Sequence, residues 1–129
     1  MTRPASRFPT ELELEILKVL WNEGPSTVRE VREALSDTRD LAYTSVMTMM
    51  SIMTDKGYLR RTKKGGGYVY RPKVDRTRTM GDMLGDTVHR VFDGSAKAAV
   101  LHLIESGEID ETELEELHRL IEKRVEDQR

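Results

Sequence analysis

Apolar positions along the chain recur mostly at helical spacing. Leu12, Ile16, Val19 and Leu20 form a first stripe, widened by Leu14, Leu17 and Trp21. Thr10 and Glu13 precede it as a capping box, and Gly24-Pro25 stops it, because glycine suits the left-handed cap and proline cannot continue the helix. Thr27 and Glu30 form a second capping box, opening a short helix with Val28, Val31 and Leu35 inward; Ser36 to Asp40 is polar and reads as a loop. A third helix is predicted from about Ala42 to Lys56, with Val46, Met49, Met50 and Met53 inside and Gly57 as its stop. The period then changes. Tyr58–Thr62 and Tyr68–Pro72 are β-prone runs around the tip Lys63-Lys64-Gly65-Gly66-Gly67, and together they predict a hairpin.

From about Thr79 the pattern is helical to the end. Met80, Leu84, Val88, Val91 and Phe92 make one stripe, closed by Asp93-Gly94. A second helix follows Ser95, with Ala96, Ala99, Val100, Leu103 and Ile104 on its apolar side. The last begins with the capping box Asp110/Glu113 and the staple pair Ile109 and Leu114, and continues through Leu117, Leu120, Ile121 and Val125. Three helices followed by a hairpin is the order of a winged helix-turn-helix. The fold class is mainly α: that winged unit over 1–76, then an all-α three-helix segment over 77–129. Its 129 residues are enough for one ordinary domain or two small ones.

Charge sharpens the picture. The net charge is only −2, yet residues 1–79 sum to +5 and residues 80–129 to −7. Between Lys56 and Arg78 lie nine cations, among them Arg60, Arg61, Lys63 and Lys64, against the single acid Asp75. A merely solvated hairpin would mix both signs; a one-sign field points to phosphate backbone. The third helix adds to this, because its outer residues Tyr43, Thr44, Ser45, Met47 and Thr48 carry no charge. Hydroxyls can hydrogen-bond bases or phosphates, and Met and the Thr methyl suit the thymine C5-methyl in a major groove. The competing reading of the same face is a protein–protein module, whose partner binding would be nearly independent of salt.

Catalysis finds no support. Cysteine is absent, which removes disulfides and thiolate chemistry. His89, His102 and His118 lack a convincing ligand spacing; His118 with Glu115 and Glu122 reads as a helix-surface ion-pair pattern, so neither a metal nor another cofactor is expected. No apolar run approaches the ~18 residues of a membrane span, and Met1 to Arg7 has no hydrophobic stretch behind it. The expected setting is the cytoplasm.

Glu11–Gly24 (ELELEILKVLWNEG), Thr27–Leu35 (TVREVREAL), Tyr43–Arg61 (YTSVMTMMSIMTDKGYLRR) and Tyr68–Pro72 (YVYRP) together resemble the BlaI/MecI penicillinase-repressor family, and the likeness continues through Ser95–Ile121. The resemblance implies a winged-helix DNA-binding domain followed by a helical dimerisation domain, acting as a homodimeric repressor on a palindromic operator in double-stranded DNA. By position it implies Tyr43, Thr44, Ser45, Met47 and Thr48 in the major groove. Arg61, Lys63 and Lys64 fall on the wing, with Arg60 in the same basic run. Leu84, Val88, Val91, Val100, Leu103, Leu114, Leu117 and Ile121 are the candidate dimer contacts. Several relatives carry Lys or Arg where this chain has Thr44, Met47 and Ile52. The cysteine pairs of the copper-responsive branch are absent. The Asn-Phe bond cleaved in the β-lactam branch corresponds to His102-Leu103, which leaves an inducing protease as an open partner.

Overall fold

The computed structural model describes residues 8–129; the segment Met1 to Arg7, read above as carrying no signal peptide, lies outside them. The elements are α1 (Glu11–Glu23), α2 (Val28–Leu35), α3 (Tyr43–Asp55), β1 (Leu59–Lys64), β2 (Gly67–Pro72), α4 (Arg76–Val91), α5 (Ala96–Glu105) and α6 (Glu111–Asp127). The helix starts follow from local chemistry. The Thr10, Thr27 and Asp110 side chains accept the backbone N–H of Glu13, Glu30 and Glu113, and each glutamate accepts a hydrogen bond from its cap backbone in return. Ser95 caps α5. α1 ends at Gly24, whose φ of 84° needs glycine.

Two expectations shift at their edges. The hairpin ladder runs further than its β-prone stretches, pairing Lys63 with Tyr68 and Lys64 with Gly67. Lys63 and Lys64 are therefore strand residues, and the turn is Gly65-Gly66 alone. Gly65 makes it possible, with φ 61°, the left-handed value a two-residue hairpin turn requires at its first central position. α4 begins at Arg76 rather than near Thr79, because the Asp75 carboxylate accepts the Arg78 N–H and caps it. Arg76 to Arg78 are polar, so periodicity could not show this start.

The chain forms two compact units, which divide between Met83 and Leu84, inside α4. In the first unit α1, α2 and α3 enclose a core of Ile16, Leu17, Leu20, Val28, Val31, Leu35, Val46, Met50 and Met53, closed by Leu59 and Tyr70 of the hairpin. Ser26 extends the sheet: its N–H donates to the Tyr70 carbonyl at 3.0 Å, and the Tyr70 N–H donates back at 2.8 Å. Trp21 Nε1 donates to the Val74 carbonyl at 3.1 Å, fastening the chain that leaves β2 onto α1. The second unit, Leu84–Arg129, contains no buried residue. Its stripes are present but uncovered. Ile109 and Leu114 are the only half-buried residues beyond Val100, as a staple across the α6 start would leave them.

Candidate nucleic-acid interface

The helical period sends Val46, Met50 and Met53 of α3 into the core and leaves Tyr43, Thr44, Ser45, Met47 and Thr48 exposed. A helix that turns Met47 and Ile52, each 42% exposed, toward solvent offers apolar surface that water alone does not explain. No side chain caps the α3 start; the N-cap is Ala42. Its first N–H groups are thus not engaged by a cap, at the end of a helix where partial positive charge collects. Arg32 holds this start in place, its Nε donating to the Leu41 carbonyl at 2.9 Å.

Strand alternation separates the hairpin cations. Leu59, Arg61 and Lys63 share a face with Tyr68 and Tyr70, whereas Arg60, Thr62 and Lys64 share the other with Val69 and Arg71. On the first face the Arg61 guanidinium stands 4.5 Å over the Tyr68 ring, and the rings of Tyr68 and Tyr70 meet edge to face. Arg61 and Tyr68 there line a groove with Met47, Thr48, Ser51 and Ile52. At the hairpin tip Lys64 lines a second groove with Tyr43, Met47, Arg29 and Tyr68. Both grooves lie between α3 and the hairpin, with Arg61 in the first and Lys64 and Arg29 in the second. Thr44 and Ser45 are exposed but line neither groove. Lys63 lines a third groove, with Thr27 and Glu30. Arg60 lies directly across the ladder from Arg71, a like-charge pair that the strands must hold against repulsion.

The basic run is less uniform than the sequence alone indicates. Lys56 donates to Glu13 at 2.9 Å, so its charge is already paired. Asp75, the one acid, is taken up as the α4 cap. The Lys64 charge also reaches Glu30, whose carboxyl is held below its ordinary value chiefly by hydrogen bonding with Thr27 and in smaller part by Lys64. In the second unit Leu84, Val91, Val100, Leu103, Leu117 and Ile121 are exposed, and Val88 and Leu114 half-buried. Among the described residues no group of three or more His, Cys, Asp or Glu could hold a metal ion. His118 stands 3.5 Å from Glu122, a side-chain pair one turn apart. No helix among them is long and apolar enough to cross a membrane.

A family model described as penicillinase repressor matches residues 9–123. This chain belongs to that family. Its members are DNA-binding transcriptional regulators and not enzymes. The penicillinase repressor of Bacillus licheniformis is 27% identical over 88% of this chain and 89% of its own length. The transcriptional regulator BlaI of Mycobacterium tuberculosis is 34% identical over 80% of this chain and 76% of its own. Among solved structures, the monomeric form of B. licheniformis BlaI in complex with the blaP half-operator is 30% identical, with a TM-score of 0.47, and covers 59% of this chain and 89% of its own.

Three residues of this penicillinase repressor-family chain escaped the sequence reading. Arg29 is on α2, far in sequence from every candidate contact residue, and only folding brings it beside Tyr43 and Met47 of α3. Tyr68 carried a usable signal, since a period of two puts it on one face with Tyr70 and Arg61. Glu13 was legible as a cap but not as a buried carboxylate.

Proposed function

We propose that this chain represses transcription as a homodimer seated on a palindromic operator. The observation that carries the reading is the uncharged, exposed face of α3 beside cations in two neighbouring grooves, Arg61 in one and Lys64 with Arg29 in the other. A major groove about 12 Å wide accepts a helix, and cations beside that helix would meet backbone phosphates. Tyr43, Thr44, Ser45, Met47 and Thr48 are then the residues nearest base edges. Arg61, Lys63 and Lys64 hold backbone, with Arg60 a more distant contributor. The winged unit, through about residue 76, does this work.

The acidic segment beyond it is the dimer module in this reading. A helical segment with no buried residue keeps its stripes wet in one copy, and so small a unit has little burial to set against chain entropy. A second copy about a two-fold axis covers Leu84, Val88, Val91, Val100, Leu103, Leu114, Leu117 and Ile121 and fixes the separation of two half-sites. The site of action is the cytoplasm, where the operator is.

The test is salt dependence. On fragments selected from genomic DNA, neutralising six to ten phosphates makes affinity fall roughly 10³- to 10⁵-fold between 50 and 200 mM salt. Affinity that barely responds to salt overturns the reading and favours a protein partner on α3.

A further inference from the structure

The exposed face of α3 is restricted in what it can recognise. Asp55, the last residue of the helix, is its only charged residue, and α3 contains no Asn or Gln. Guanine is read by the paired donors of Arg or Lys, adenine by the amide of Asn or Gln, and the cytosine amine by a carboxylate. From Tyr43 to Thr54 none of these can be supplied. What α3 offers instead is single hydroxyls and hydrocarbon. One base presents hydrocarbon in the major groove: thymine, through its C5-methyl.

Resting on the placement of α3 in the major groove, we infer that this chain selects its operator chiefly through thymine methyl groups packed against Met47, Thr48 and Ile52. These three line one groove together. Met47 also lines the groove at the hairpin tip, so its flexible thioether chain can cover methyls on either side. Arg61, the cation in the first groove, is on the hairpin and already stacked over Tyr68, which suits it to a phosphate at the groove wall rather than to a base. Hydrocarbon at 42% exposure on Met47 and Ile52 has a reason on this account, since DNA removes it from water.

Deoxyuridine tests this directly, because it lacks the thymine methyl and keeps every hydrogen-bonding group. Replacing thymidine by deoxyuridine position by position in the selected operator should weaken binding about fourfold for each contacted methyl, and about fifteenfold for a symmetric pair. Met47→Ala and Thr48→Ser should each lose the difference between the two operators at the thymine that side chain covers. A wild-type protein that binds the fully substituted operator as tightly as the original, while still preferring it to scrambled DNA, overturns the methyl readout and leaves the repressor reading standing. Failure to distinguish operator from scrambled DNA overturns both.

Discussion

Lys56 Nζ lies 2.9 Å from Glu13 Oε2, and the other carboxylate oxygen of Glu13 accepts the Thr10 N–H at 2.8 Å. One carboxylate, 1% exposed, thereby caps the start of α1 and holds Lys56, the C-cap just beyond the end of α3. Burial pushes the Glu13 carboxyl up. The Thr10 hydrogen bonds and the Lys56 ammonium outweigh it and leave the group below its ordinary value of 4.5. Tyr58 stands close enough to feel the pair: burial first, and then the Glu13 charge, raise its phenol against the opposing pull of Lys56.

Lys56→Met should destabilise the protein by about 2–3 kcal/mol. Removing one partner of a fully buried pair costs ~3–5 kcal/mol, and the Lys56 side chain, 31% exposed, puts this pair below that range. The pH dependence has a definite sign. Because the folded carboxyl titrates below 4.5, its contribution is complete above that value and is lost as pH falls through the folded pKa. Glu13→Gln, which keeps a side chain able to accept at the α1 start, should flatten that acid limb. Urea unfolding at several pH values reads both; equal acid sensitivity in wild type and Glu13→Gln would exclude this carboxylate as the cause.

Trp21→Phe should cost about 1 kcal/mol beyond any packing change, since it leaves the Val74 carbonyl without its donor. Thermal unfolding of the two proteins side by side is the measurement. An unchanged midpoint would mean that water replaces the indole N–H at no cost.

Lys64→Ala should reduce the log–log salt slope of operator binding by about 1.8, which is one phosphate at ~0.9 in each half of a dimer. Sequence preference should not change, because phosphate contacts carry no sequence information. A preference that shifts with an unaltered slope would make Lys64 a base reader instead.

Leu117→Glu should split the dimer. Leu117 is 40% exposed in one copy, so a single protomer accommodates the charge, whereas a two-fold seam would bury it twice. Operator affinity should drop by orders of magnitude as tethering of the two winged units is lost. Sedimentation decides the matter. A wild-type chain that is monomeric at micromolar concentration and still binds its operator tightly would sink the dimer.

The sequence by itself determined what depends on a few neighbouring residues. Capping boxes at Thr10/Glu13, Thr27/Glu30 and Asp110/Glu113 were legible because each is closed within one turn. The uncharged face of α3 was legible because helical period alone assigns residues to faces. Tertiary structure decided whatever joins distant segments: Lys56 to Glu13 across 43 residues, and Trp21 to Val74 across 53. Either cation or indole could have faced water without breaking any local pattern. It also decided which hairpin cations accompany α3. Side chains alternate along a strand, and a register slip of one residue would exchange Arg61 for Arg60 beside the helix. That register is fixed by the Gly65-Gly66 turn and by Leu59 and Tyr70 reaching the core, an agreement between turn geometry and packing that exists only once the chain is folded.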